Sequence, residues 1–322
     1  MQRTVELTHA ALEIIEGLKA SPKQISSKFF YDGEGSRIFQ EIMGMPEYYL
    51  TDCEAEIFES RKREIGALFC KNCCTVDLVE LGAGDGAKTK ILIEDLLSEK
   101  INFRYIPVDI SEDAVVQLAG AMKQQFPDLI LEPRIGDYFH MIGNLSKEYP
   151  NRKVLMFLGS NLGNFNYQQS ISFLSGLSQV MSEDDLFFIG LDLKKDPEVI
   201  RKAYDDSQGH TRDFNLNLLA RFNKELGANF DLQGFIHSPL YDPQSGTARS
   251  FLVSTRDQEV RFEITDESIF LKKWETIQTE LSQKYDLAMI ATMAKASGFQ
   301  VVENFFDSRH YFVNSLWKKS WR

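Results

Sequence analysis

The stretch VDLVELGAGDGAKTK, residues 76–90, decides the fold. Val76, Leu78, Val79 and Leu81 make the branched, apolar run of a buried strand. Gly82, Gly84 and Gly86 follow at once, and Lys88–Leu97 carries apolar residues at helical spacing. Strand, glycine turn and helix, in that order, open a nucleotide-binding α/β sheet, because a backbone without Cβ atoms turns sharply and admits a ligand closely. Two cofactors fit the turn. Gly82-x-Gly84-x-x-Ala87 satisfies the dinucleotide fingerprint, with Ala in place of the third Gly. Glu80-x-Gly82-x-Gly84-x-Gly86 is instead the acidic-led pattern of S-adenosylmethionine enzymes. A glycine turn with no ligand is the third reading.

Downstream, Phe103–Val108 reads as a second strand ending in Asp109. A carboxylate there accepts hydrogen bonds from both ribose hydroxyls. It lies further from Gly82 than the roughly 20 residues usual for dinucleotide enzymes. Leu129–Leu131 is a short third strand, followed by Gly136-Asp137-Tyr138. Asp137 is a candidate for the exocyclic amine of adenine, with Tyr138 beside the ring; a solvated turn is the plain alternative. Val154–Leu158 is a fourth strand and runs into Gly159-Ser160-Asn161-Leu162-Gly163-Asn164-Phe165. Ligands of such sheets bind beyond the carboxyl ends of the strands, where this loop falls. Asn164 there is either a polar contact or an Asx turn. A helix over 168–181 precedes a fifth strand, Leu186–Leu191, ending in Asp192. At the far end, a helix over Asp286–Ser297 stops at Gly298, and Phe299–Phe305 and His310–Trp317 form a closing hairpin. That ending belongs to class I methyltransferases; a dehydrogenase more often adds parallel units.

The alternation breaks after Asp192. A helix through Tyr204 and an amphipathic helix around Phe214–Leu226 are followed by polar-alternating segments near Gly234–His237, Ser250–Ser254 and Val260–Ile264, and Thr265–Leu281 is mixed. This reads as an α+β lid inserted into the sheet domain. Upstream, residues 1–25 are a helix and a turn. Asp32-Gly33-Glu34-Gly35 is a turn, Ser36 is a cap for a helix over Arg37–Met43, and Thr51 with Glu54 fits a capping box. Among the aromatics here, Tyr31 and Tyr48 lie beside turns and are candidates to present hydroxyls to a ligand.

The 322 residues are 43% hydrophobic and 26% charged, an ordinary globular balance with room for one large domain or two. A net charge of −11 argues against nucleic acid and against anionic membranes. With no apolar run of membrane-spanning length and no apolar signal region at the N-terminus, a cytoplasmic location is expected. Cys53, Cys70, Cys73 and Cys74 lack the second pair or nearby His of a zinc set, so reduced thiols and no metal are expected.

Taken together, FFYDGEGSRIFQEI, PEYYLT, VELGAGDGAKT, PVDIS, Gly136-Asp137-Tyr138, FLGSNLGNF, AYDD and TELSQKY resemble the S-adenosylmethionine-dependent histidine Nα-methyltransferases of ergothioneine biosynthesis. The resemblance runs in order along nearly the whole chain. It implies a methyltransferase domain over 53–192 and 285–322, with a Rossmann-like sheet and terminal hairpin, and a substrate-binding domain over 1–52 and 193–284. It also implies that Gly82, Lys88, Asp109, Asp137 and Tyr138 hold the cofactor, with Lys88 on its carboxylate. Asn164 and Tyr204 are implied for the substrate carboxylate, and Glu280, Ser282 and Tyr48 for the imidazole. Tyr31 and the Gly159 backbone are implied near the reacting amine. The family's imidazole pocket receives an apolar Met where this chain has Ser250 or Phe251.

The expectation is an amino-acid N-methyltransferase acting on the α-amine of L-histidine, through to the trimethyl betaine, with a monomer favoured. Three alternatives stand beside it: methylation of another aromatic amino acid or amine, a non-catalytic cofactor-binding protein, and a nicotinamide-dependent dehydrogenase.

Overall fold

The computed structural model describes residues 2–73, 75–109, 112–136, 141, 142, 144, 145 and 148–320, with the side chains of 2–8 and 113 excepted. The chain divides into two compact units. One comprises Leu50–Lys194 and Lys284–Arg322, the other Met1–Tyr49 and Lys195–Gln283.

The first unit is built on an eight-stranded sheet. Its strands are β1 (Thr75–Leu81), β2 (Asn102–Asp109), β3 (Ile130–Leu131), β4 (Arg134–Ile135), β5 (Arg152–Phe157), β6 (Leu186–Asp192), β7 (Phe299–Phe306) and β8 (Phe312–Lys319). They lie in the order β7-β8-β6-β5-β1-β2-β3, with β4 also on β2. The strands from β1 to β6 pair in parallel, while β8 runs antiparallel to both β6 and β7. Chain order advances outward from β1 through β2 on one side and from β5 through β6 on the other. The gap between β1 and β5 is therefore the topological switch point, where ligands of such sheets bind.

Parallel strands are covered on both faces and so read as continuous apolar runs. Val76, Leu78, Val79 and Leu81 of β1 are each 0% exposed. On one face Phe187 and Ile189 of β6 pack with Leu174 and Leu177 of the helix Tyr167–Val180 and with Ile290 and Met293 of the helix Leu287–Ala296. On the other face Phe188 meets the rings of Phe58 and Phe69 from the helix Tyr49–Phe69. The sheet is thus doubly wound and closed by an antiparallel hairpin, which is the expected class I methyltransferase architecture.

The second unit packs helices on a four-stranded sheet. The sheet order is Lys23–Gln24, Thr276–Gln283, Thr247–Ser254, Phe235–Asp242, with only the first pairing parallel. A separate hairpin joins Gln258–Phe262 to Glu267–Leu271. In the helix His210–Leu226, Phe214, Leu218, Leu219, Phe222 and Leu226 recur at helical spacing and share a core with Ile14, Leu18, Ile38, Leu252 and Ile277. This unit is the inserted α+β element.

Two expected caps are corrected. The helix expected from Arg37 spans Gly33–Met43, because Asp32, not Ser36, caps it by accepting from the Gly35 N–H at 2.7 Å. Thr51 lies inside the helix Tyr49–Phe69 rather than capping it, and Glu54 is buried. The segment read as mixed contains two strands, Glu267–Leu271 and Thr276–Gln283.

Candidate active site

In the first unit the carboxyl ends of the parallel strands carry the polar groups. β1 runs into the glycine turn, where Gly82, Gly84 and Gly86 take φ of 70°, 55° and 64°. Left-handed backbone of this kind excludes most side chains. Gly86 is also packed tightly: a Cβ there would stand 2.6 Å from Leu118 and 2.7 Å from Met122. At Gly84, by contrast, a Cβ would meet nothing within 4 Å, so the backbone faces open space. The turn leads into the helix Ala87–Ser98, with Lys88 in its first turn.

Glu80, which leads the turn, is 3% exposed and accepts a hydrogen bond from the Tyr105 hydroxyl at 2.5 Å. Burial pushes its carboxyl up to about 7, against the opposing effects of Tyr105 and of the Lys88 charge. The Lys88 ammonium pairs with Glu54 at 2.5 Å. Asp109 ends β2 half-buried, and its carbonyl accepts from the Gly136 N–H at 3.0 Å. Beyond β5, Gly159 and Ser160 are both left-handed, with φ of 70° and 58°, and the Gly159 N–H donates to Glu54 at 2.9 Å. Asn164 closes the short 3-10 turn Asn161–Asn164 and is half-buried. The structure therefore brings Gly82, Lys88, Asp109 and Gly159 to one edge of one sheet. Asp137 and Tyr138 lie outside the described residues.

These groups fit S-adenosylmethionine. An open glycine backbone, a strand-end carboxylate for ribose hydroxyls and an ammonium for a carboxylate are the donor and acceptor types that cofactor needs.

The second unit gathers the other predicted residues. Glu280 sits just past a β-bulge between Gln278 and Glu280, opposite Ser250. Past the bulge the register is unbroken, so Glu280 and Ser282 share one face as positions two apart in a strand. The Ser250 hydroxyl donates to Glu280 at 3.1 Å, so Ser250 rather than Phe251 is the residue beside that carboxylate. Ser282 is 5% exposed, and Tyr204 ends the helix Pro197–Tyr204 at 6%.

Tyr31 touches the rings of Phe39 and Phe214 at 5.5 and 6.0 Å, and Phe39 in turn meets Tyr48 at 6.1 Å. The Tyr31 phenol is held above its ordinary pKa, by lost hydration first and then by the negative charge of Glu280. Glu280 and Tyr204 thus each lie within electrostatic reach of Tyr31. Sequence reasoning named all three; it read Glu54 only as part of a capping box and missed its pairing with Lys88.

A doubly wound sheet with this switch point, acidic-led glycine turn and antiparallel closing hairpin is the scaffold of class I, S-adenosylmethionine-dependent methyltransferases. A family model described as histidine-specific methyltransferase, SAM-dependent, matches residues 10–319, and the chain belongs to that family. It is 33% identical to a histidine N-alpha-methyltransferase of Mycolicibacterium smegmatis, over 85% of this chain and 83% of that protein. It is 32% identical to the protein of the same name from Mycobacterium tuberculosis, over 96% and 95% of the two chains. It is also 26% identical to ergothioneine biosynthesis protein 1 of Neurospora crassa, over 93% of this chain and 34% of that longer protein.

Proposed function

We propose that the protein transfers methyl groups from S-adenosylmethionine to the α-amine of L-histidine, through to the trimethyl betaine, as a step of ergothioneine biosynthesis. Within a chain of the histidine-specific family, the observation that carries the substrate assignment is Glu280, set on one strand face with Ser282, hydrogen-bonded by Ser250 and within electrostatic reach of Tyr31. Glu280 accepts from an imidazole N–H and favours the protonated ring; Ser282 and Tyr48 complete the polar contacts to it. Asn164 and Tyr204 hold the substrate carboxylate with neutral donors.

When bound, S-adenosylmethionine supplies an electrophilic methyl group on a sulfonium. Gly82, Lys88, Asp109, Asp137 and Tyr138 hold it, with Lys88 on its carboxylate. The substrate amine, with an ordinary pKa near ~8, has a useful neutral fraction at neutral pH. Tyr31 keeps its proton there, so it orients the amine and passes the released proton toward water rather than acting as an obligate base. The Gly159 N–H is engaged by Glu54, so the proposed contact of Gly159 with the amine falls to its carbonyl oxygen. Holding the substrate by both its carboxylate and its ring leaves the amine free to rotate between successive transfers. The rate enhancement comes from positioning.

The same proposal makes the partner a small molecule and the protein a monomer of the cytoplasm that needs neither nucleic acid nor membrane. A net charge of −11 disfavours nucleic acid and anionic membranes as partners, and among the described residues no helix is long and apolar enough to cross a membrane.

Glu280→Ala tests the substrate assignment by calorimetry. Histidine affinity is expected to fall about 10- to 100-fold, the loss of a charge-assisted hydrogen bond, while cofactor affinity stays within about twofold. Equal losses of both ligands would overturn the role of Glu280.

A further inference from the structure

Glu54 lies in the first turns of the helix Tyr49–Phe69, and its side chain is 0% exposed. Three donors converge on its two oxygens. Oε2 accepts from Lys88 Nζ at 2.5 Å and from the Gly159 N–H at 2.9 Å, and Oε1 accepts from Asn314 Nδ2 at 2.8 Å. The donors come from the helix after the glycine turn, the loop after β5, and β8. The sheet is shaped to admit this carboxylate: a Cβ on Gly190 of β6 would stand 2.2 Å from Glu54 Oε1. Gly159 is close on the other side, since a Cβ there would be 3.4 Å from Lys88 Nζ.

A buried carboxylate is costly unless it is paired and fully hydrogen-bonded, and here it is both. Its partner is not hidden to the same degree: the Lys88 side chain is 24% exposed. The carboxylate fixes from below an ammonium that still reaches the sheet's ligand edge. Lysine is a flexible stem with a point charge, and tethering it before a ligand arrives removes part of the ordering cost of binding.

We infer that Glu54 is a positioning residue for methyl transfer: its carboxylate holds the Lys88 ammonium and the left-handed Gly159 backbone in one fixed relation at the sheet edge. This rests on the reading of Lys88 as the ligand of the cofactor carboxylate and of Gly159 as the group near the amine. The charge and both oxygens are needed. An amide in the same place keeps an acceptor at only one of the two oxygen positions and loses the negative charge that holds the Lys88 ammonium.

The test is a cycle of Glu54→Gln, Lys88→Met and the double variant, with cofactor affinity read by calorimetry and histidine turnover by steady-state kinetics. Glu54→Gln is expected to weaken S-adenosylmethionine about 10- to 100-fold and to lower kcat, while the KM for histidine stays within about twofold. Adding Glu54→Gln to Lys88→Met is expected to cost no further cofactor affinity, because the two act as one unit. A merely structural glutamate would instead give additive losses, or equal losses for both substrates, and either result overturns the inference. So does a Glu54→Gln enzyme with unchanged cofactor affinity and kcat. Unchanged cofactor affinity in Lys88→Met overturns the reading of Lys88 itself, and the inference with it, whatever Glu54→Gln does. If Glu54→Gln does not fold, Asn314→Ala frees the same carboxylate from β8 and keeps its charge. A two- to tenfold weaker cofactor is then expected, and an unchanged one contradicts the inference.

Discussion

Glu80 shows what one buried acid costs this fold. Its carboxyl is pushed from an ordinary 4.5 up to about 7, by burial first. The folded state therefore holds a proton over a range in which the unfolded chain has lost it. The resulting stabilisation is complete below about pH 4.5 and is lost as pH rises through about 7. Glu80→Gln removes the titration. Between pH 5 and pH 8 the variant is expected to gain stability over the parent by on the order of 3 kcal/mol, read by urea unfolding. A constant difference across that range contradicts the account of Glu80.

Glu80, Gly82 and Asp109 were legible because each is tied to a strand end by local sequence. Glu54 was not. Its partners stand 34, 105 and 260 residues away, and locally it fits a capping box with Thr51 that the structure does not form.

Among the elements, the parallel strands announce themselves, because burial on both faces demands unbroken apolar runs such as residues 76–81. The strand Thr276–Gln283 conceals itself. Its buried face is Ile277, Thr279 and Ser282, two of them hydroxyl residues, and the bulge breaks the period of two. Hydrogen bonds stand in for apolar packing there. The Thr279 hydroxyl, 1% exposed, donates to Asn215 Oδ1 at 2.5 Å and reaches the Ser250 carbonyl at 3.1 Å. Thr279→Val keeps the shape and leaves the fully buried Asn215 without that donor. The expected loss is about 1–3 kcal/mol in chemical denaturation, with weaker histidine binding because the bulge presents Glu280. Stability and histidine affinity both at the parent's level would show that this hydroxyl does not hold the bulge.

Across the whole molecule, the class I sheet was legible from the order of its parts: glycine turn, alternating strands and helices, terminal hairpin. The α+β unit was legible as a change of pattern but not in its strand count, since its sheet joins Lys23–Gln24 to strands more than two hundred residues later, such as Thr276–Gln283. Methylation of histidine at its α-amine is a property of the molecule entire. It is tested most directly by incubating the purified protein with S-adenosylmethionine and each amino acid in turn and reading product masses. Histidine is expected to gain three methyl groups, with tryptophan and tyrosine inert. Turnover of another amino acid with histidine untouched, or cofactor binding with no product from any amino acid, would contradict it.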